Sequence, residues 1–340
     1  MPNTTNFSHI YIEKGAEEYP DTERICRHFS QAQIIAVDDY KHIFNRSNQR
    51  FQAQKRSMKL ILAVKKDHFL YPGSGYAPDF GHDAFYYSAQ MFNCVYNCDY
   101  CYLQGMYASG NLVIFVNHEA YMTAADERLA AAGRLYLCVS YDTDLLAFEN
   151  VLPLCRRWIE FARTRSNLLI EIRTKSANFD AIAELDPIPN VVLAWTLSPT
   201  TVAGQYESRT PPLAARLTAA REALEAGWPV RVCFDPVLRI ENWQERYAEL
   251  IDSTFAAIDP AGVFDCCIGA FRMNAEYLKR IRRQREDSDI LYFPYTREGN
   301  TVSYSVDQEA EMLAFVGKRL ATYLPAEKII VHGSRSGDEL

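Results

Sequence analysis

Between residues 86 and about 268 short apolar runs alternate with stretches whose apolar residues recur at helical spacing. The runs predict strands over Leu112–Val116, Leu135–Val139, Leu168–Ile172, Val191–Thr196, Val230–Phe234 and Asp265–Ile268. The stretches between them predict helices over Ala120–Ala131, Val151–Arg163, Ala177–Glu184, Leu213–Ala226 and Trp243–Ile258. Gly133 and Gly227 fall just past two of these, where a left-handed C-cap favours a residue without a Cβ. Strand–helix alternation implies parallel strands joined by right-handed crossovers, in a barrel or an open sheet. Either way, ligands gather at the carboxyl ends of the strands. Those ends are polar here: Ser140-Tyr141-Asp142-Thr143-Asp144 after one strand, Arg173-Thr174-Lys175 after the next, then Thr196-Leu197-Ser198.

Residues 1–85 read as an N-terminal α/β extension. Strands are expected over His9–Glu13 and Ile34–Val37, a helix over Thr22–Phe29, and a buried strand over Leu60–Val64. The turn-rich Pro72-Gly73-Ser74-Gly75 leads into the central region at 86–268, and residues 269–340 form a C-terminal extension with a basic helix and a hairpin. A chain of 340 residues, 48% hydrophobic and 23% charged, is long enough to bury a large core. No apolar run approaches membrane-spanning length, and MPNTTNFSH has no charged-then-apolar signal pattern. Gly337-Asp338-Glu339-Leu340 looks like an endoplasmic-reticulum retention tail, but without an entry signal it reads as coincidence. Nine scattered cysteines argue against a disulfide framework and for a reducing, cytoplasmic setting.

Net charge is −7, yet its distribution is uneven. Residues 41–66 carry Lys41, Arg46, Arg50, Lys55, Arg56, Lys59, Lys65 and Lys66 with no carboxylate, and Phe44 and Phe51 lie among them. Arg272, Lys279, Arg280, Arg282, Arg283 and Arg285 form a second cluster. Local basic patches steer phosphate backbones whatever the total charge. The alternative is a pair of solvated helix faces.

The densest chemistry lies at Phe92-Asn93-Cys94-Val95-Tyr96-Asn97-Cys98-Asp99-Tyr100-Cys101-Tyr102-Leu103-Gln104. Three cysteines at C-x3-C-x2-C suit a cubane [4Fe-4S] cluster, whose irons favour soft thiolates. No fourth cysteine follows closely, so one iron is left open to chelate the amino and carboxylate groups of S-adenosylmethionine. An electron from the cluster can then cleave the sulfonium to a 5′-deoxyadenosyl radical. The competing reading is a structural zinc loop, which wants four closed ligands. The nearest spare candidates, His82 and His118, are not at ligand spacing.

These residues resemble the radical S-adenosylmethionine superfamily and, within it, the spore photoproduct lyase family. The likeness begins at Cys94…Cys98-Asp99-Tyr100-Cys101-Tyr102-Leu103-Gln104. It extends to Tyr11-Ile12-Glu13-Lys14-Gly15-Ala16…Tyr19-Pro20, Phe115-Val116-Asn117, Thr174-Lys175, Pro212-Leu213…Arg216, Ala226-Gly227-Trp228-Pro229, and Pro236 followed by Trp243. It covers roughly residues 9–332. The resemblance implies a partial (β/α)6 TIM-type barrel with N- and C-terminal extensions. It implies a carbon–carbon lyase that reverses 5-thyminyl-5,6-dihydrothymine in DNA, with a [4Fe-4S] cluster and S-adenosylmethionine as cofactors. Damaged DNA, a reductant such as flavodoxin or ferredoxin, no membrane and a monomeric state follow from it. Another nucleic-acid or peptide substrate on the same scaffold is the alternative.

Carried over residue by residue, Cys94, Cys98 and Cys101 would ligate the cluster, and Tyr100 would pack on the adenine. Lys175 would meet the cofactor carboxylate, Thr196 and Ser198 its ribose or carboxylate, and Asp142 or Asp144 its ammonium. Tyr102 resembles a tyrosine that relays a hydrogen atom. A cysteine donates hydrogen to the product radical in the family. Here counting back from Asp144 places Tyr141 at that position, and counting forward from Arg134 leaves Cys138 one residue short. The family's basic C-terminal segment is reduced to Tyr295-Thr296-Arg297-Glu298-Gly299-Asn300-Thr301, which reads as a hairpin turn. Cys26, Cys155, Cys233, Cys266 and Cys267 are expected in the core.

Overall fold

A computed structural model describes residues 6–333, so the Gly337–Leu340 tail lies outside the described residues. Seven strands run parallel in the larger sheet, each beside the next in chain order: Phe85–Ser88, Leu135–Cys138, Leu168–Thr174, Val191–Thr196, Val230–Val237, Asp265–Ala270 and Ile329–His332. Leu70–Pro72 adds an antiparallel edge. Sequential order is the mark of a winding barrel rather than a doubly wound sheet. Among the described residues the two edge strands do not pair, so the barrel is partial.

The five inner strands are largely buried on both faces, which is why they read as apolar runs rather than alternating ones. Alternation survives in finer detail. Tyr136, Cys138, Glu171, Arg173, Ala194, Arg231, Cys233, Asp265 and Cys267 share one face across four pairings, while Leu135, Leu137, Ile170, Ile172, Leu193 and Val232 occupy the other. Small side chains at Ala194, Cys233 and Cys267 pack together there with Phe80. Cys266, one residue back, faces the opposite way into the main core. Adjacent cysteines are thus two separate buried thiols on the two faces of one strand.

The smaller sheet has the order Gln33–Val37, His9–Glu13, Leu60–Ala63, Leu112–Phe115 and Met91–Phe92, parallel except for the last pair. The run at Leu112 therefore sits beside Leu60–Ala63 rather than in the large sheet. Four apolar residues carry no information about which sheet accepts them. Residues 85–92 tie the sheets together, with Phe85–Ser88 in the larger and Met91–Phe92 in the smaller. The cysteine loop follows directly from that bridge.

Observed helices include Pro20–His28, His118–Ala132, Leu154–Ala162, Leu213–Glu225 and Trp243–Ala257. Gly133 caps the second at φ 74°, its N–H donating to Leu129 O. The helix expected over Ala177–Glu184 is instead a single 3-10 turn, Phe179–Ala181. Ser176 Oγ accepts the Asn178 N–H at 3.1 Å and the Asn178 amide donates to Leu146 O at 3.0 Å, so local polar bonds replace the helical ladder. Two elements without a strong apolar pattern also appear, Thr200–Tyr206 and Phe51–Arg56. The long C-terminal helix Val306–Leu320 opens on a capping box between Ser305 and Gln308. Thr296–Glu298 and Thr301–Ser303 form the expected hairpin.

Candidate active site

The cysteine loop is fixed at both ends. Asn93 sits at φ 68°, and its amide donates to Ser109 O and Asn111 O, both at 2.7 Å. Asn97–Cys98 pairs antiparallel with Glu207–Ser208, and Asp99 N–H donates to Tyr206 O at 2.7 Å. The C-terminal basic helix Ala275–Arg282 closes over the far end. Arg285 just beyond it binds Asp99 Oδ1 at 2.5 Å, Gln104 Oε1 at 2.6 Å and Asn97 O at 3.0 Å. Arg280 donates to Gly105 O at 3.0 Å, and a Cβ on Gly105 would lie 2.5 Å from Tyr277 Cα. Close helix approach is what requires glycine there.

All three thiols line one open cavity, together with Tyr100, Tyr102, Tyr141, Asp144, Lys175 and Thr196. Among the described residues no group of three or more His, Cys, Asp or Glu side chains converges on a point that would hold a single metal ion. Three thiols spread around a space, with no fourth donor, fit a cubane better than a closed zinc site. Thr143 Oγ lines the same cavity, buried and without a hydrogen-bond partner, as expected of a group awaiting a ligand. His82 stacks on Tyr136 and His118 faces Asp21, so neither joins the thiols. Burial pushes the Cys94 thiol up to about 12, with Asp144 adding to the shift and Lys55 opposing it. Any metal held by these thiols would have to displace their protons.

Lys175 stands over the Tyr100 ring at 5.4 Å, with its Nζ 3.9 Å from Glu207. Glu207 is a buried hub that the sequence does not reveal. Tyr100 OH donates to it, as do Ser198 Oγ at 2.8 Å and Arg216 Nη2 at 2.5 Å. Ser198 is thus directed to Glu207, whereas Thr196 lines the cavity. Asp144 also lines it, and accepts from Thr174 Oγ1 at 2.7 Å, Lys175 N at 2.7 Å and Ala147 N at 3.1 Å. Asp142 turns elsewhere, accepting from Tyr102 OH at 2.8 Å and Tyr107 OH at 3.1 Å. Burial lifts its carboxyl to about 6, with the two tyrosine hydroxyls and Lys65 holding it back.

A second cavity shares Tyr100, Tyr102, Ser140, Tyr141, Arg173 and Asp235 with the first. Cys138 lines this second space, its thiol 3.7 Å from Glu171 Oε1. Burial, then the Glu171 charge, keeps that thiol well above its ordinary range, so it carries its hydrogen at neutral pH. Burial alone would raise Glu171 as well, but Arg173, Arg231 and Tyr136 outweigh it and hold the carboxyl at about 2. Tyr141 and Tyr102 stand where the cavities meet. Their rings are 5.9 Å apart, and Tyr141 stacks on Tyr87 at 4.3 Å. The sequence hinted at Arg173 through its strand-end position, but nothing in it distinguished Asp235, Arg272 or Glu171.

The basic runs divide. Lys55 and Lys65 are buried, Lys59 is half-buried, and Lys41, Arg46, Arg50, Arg56 and Lys66 are exposed. Phe44 and Phe51 are both core residues, so neither offers a stacking platform to a base. In the second run Arg272 is engaged with Asp235 and Tyr76 O, and Arg280 and Arg285 hold the cysteine loop. Lys279 and Arg283 remain on the surface. Among the described residues no helix is long and apolar enough to cross a membrane.

The family model for spore photoproduct lyase matches residues 6–267. Curated spore photoproduct lyases from Bacillus subtilis (strain 168) and Geobacillus sp. (strain Y412MC61) are 23% identical over 259 residues and 22% over 263. The first alignment covers 73% of each chain and the second 75%. Among solved structures, a cysteine-to-alanine variant of spore photoproduct lyase with dinucleoside spore photoproduct superposes with a TM-score of 0.82 at 17% identity, over 96% of this chain and 98% of that one. A double variant with bound AdoMet and dinucleoside spore photoproduct gives a TM-score of 0.80 at 17% identity with the same coverage.

Proposed function

The chain belongs to the spore photoproduct lyase family, and on that premise we propose that it is a radical S-adenosylmethionine carbon–carbon lyase acting on 5-thyminyl-5,6-dihydrothymine in DNA. One observation carries the reading: a cavity lined by three free thiols and Lys175 shares six lining residues with a second cavity lined by Cys138. The first has the donors for a [4Fe-4S] cluster and S-adenosylmethionine, and the second would receive the lesion beside them.

When bound, the cluster and S-adenosylmethionine supply a carbon-centred radical able to take the lesion's C6 hydrogen. The chain's own groups position and quench. Cys94, Cys98 and Cys101 would hold the cluster. Lys175 would neutralise the cofactor carboxylate, with Asp144 and Thr196 beside it and Tyr100 against the adenine. Loss of the C6 hydrogen lets the methylene bridge break, leaving a thymine radical. Cys138 Sγ then gives its hydrogen atom to that radical, the S–H bond breaking as the C–H bond forms. The thiyl would be refilled from the Tyr141 hydroxyl and Tyr141 from Tyr102 behind it, and the radical left on Tyr102 would regain a hydrogen atom from 5′-deoxyadenosine, so that every hydrogen moved is accounted for. A damaged pair costs less to extrude than an intact one, which favours lesion over normal DNA at a recessed mouth. Exposed cations of the 41–66 segment would meet phosphates. A flavodoxin- or ferredoxin-type reductant in a reducing cytosol would supply the electron.

The test is anaerobic reconstitution with iron and sulfide, followed by S-adenosylmethionine, dithionite and dinucleoside spore photoproduct. Restored thymine is the expected product. Intact lesion alongside normal 5′-deoxyadenosine release would overturn the substrate assignment and leave another nucleic-acid or peptide target.

A further inference from the structure

Lys55 lies on the short helix Phe51–Arg56 of the N-terminal extension, outside the barrel, and is 3% exposed. Its Nζ donates to Cys94 O, and Met58 Sδ is 4.0 Å away. With Cys94, Cys98 and Cys101 it lines a narrow cleft at the cysteine loop, and it is the charged residue of that lining. Among the described residues no carboxylate forms an ion pair with it; its ammonium is held by Cys94 O. A buried ammonium without an anion is costly, and such a residue is ordinarily paired.

The missing anion is the loop's own cargo. Three thiolates and the sulfides of a cluster bring negative charge to the face that Lys55 lines, and one-electron reduction adds more. A fixed cation a few ångströms from that charge favours the reduced form over the oxidised one. We propose that Lys55 is the counter-charge of the iron–sulfur cluster, retaining it in the loop and easing its reduction. This rests on the cluster reading given above.

The experiment compares wild type, Lys55→Met and Lys55→Arg as full chains, reconstituted anaerobically. Iron and sulfide are counted, and the clusters are titrated electrochemically with paramagnetic resonance detection. At a fixed solution potential the reduced-to-oxidised ratio in Lys55→Met falls about tenfold, equivalent to ~59 mV for a one-electron couple. Lys55→Arg stays close to wild type. Loss of iron from Lys55→Met but not from Lys55→Arg supports the same conclusion. Wild-type potential and iron content in Lys55→Met overturn the proposal, as does an equal shift in Lys55→Arg, which keeps the charge. Failure of the cluster reading is distinguishable, since wild type itself would then take up no iron.

Discussion

Replacing Glu207 with glutamine keeps its shape and removes its charge. Glu207 is 1% exposed and Arg216 is 0% exposed, with Nη2 to Oε2 at 2.5 Å. Glutamine leaves that guanidinium buried with neutral partners only: Pro211 O at 2.9 Å, Thr210 Oγ1 at 2.6 Å and Thr196 O at 3.4 Å. Removing one member of a buried pair costs about 3–5 kcal/mol. Unfolding entropy near 2.1 cal/mol/K per residue gives ~0.7 kcal/mol/K for 340 residues, so the melting temperature should drop by about 4–7 °C. Burial alone would raise the Glu207 carboxyl, but Lys175 and Arg216 hold it below its ordinary 4.5. The folded form therefore prefers the carboxylate. Its contribution is complete above pH 4.5 and is lost as pH falls through the depressed value. Calorimetry of metal-free protein should show the full deficit of Glu207→Gln at pH 7 and a shrinking one below pH 4.5. Glu207→Leu combined with Arg216→Met should recover most of it, because both charges leave together. A Glu207→Gln melt within about 1 °C of wild type at pH 7 would refute the ion-pair reasoning.

Other perturbations address the chemistry and the clamp. Cys138→Ala should leave 5′-deoxyadenosine formation intact and cut thymine restoration at least about tenfold, ~1.4 kcal/mol, measured by product chromatography; unchanged repair would assign hydrogen return to Tyr141. Gly105→Ala puts a Cβ 2.5 Å from Tyr277 Cα, where backbone must yield, so about 1–3 kcal/mol and part of the iron content should be lost. Gly204→Ala, with open space around its Cβ inside helix Thr200–Tyr206, is the control and should melt no lower than wild type. Asp142 has its carboxyl raised from 3.8 to about 6, so the folded state binds the proton more tightly and stability falls as pH climbs between those values. The gap is about two pH units, ~3 kcal/mol, and Asp142→Asn should abolish that part of the pH dependence of melting.

Local pattern carried much of this architecture, and contact between distant residues carried the remainder. Apolar runs marked the barrel strands because a strand covered on both faces is apolar throughout, and the cysteine spacing marked the loop. The resemblance to a family with an open iron placed Lys175, Thr196 and Asp144 at one mouth, and all three line the same cavity as the thiols. Asp142 and Ser198 sit at strand ends too, yet their bonds run to Tyr102 and Glu207, a choice that strand position cannot express. Glu207 looks like any surface glutamate until the chain returns it to the cysteine loop through a two-residue ladder. Lys55 and Lys65 counted as basic patch in the sequence but point inward, because short segments of mixed polarity do not declare a buried face. The Ser305–Gln308 capping box was readable, as Ser followed three residues later by Gln before an apolar-periodic stretch.

Site differentiation of the cluster is the claim on which the remaining chemistry depends. The most direct test is the electron–nuclear coupling of reduced, reconstituted protein with S-adenosylmethionine carrying 15N in its amino group. A cluster held by Cys94, Cys98 and Cys101 alone should show 15N coupling at one iron, lost when the label is omitted. A reduced cluster whose signal is unaffected by saturating S-adenosylmethionine would contradict the account.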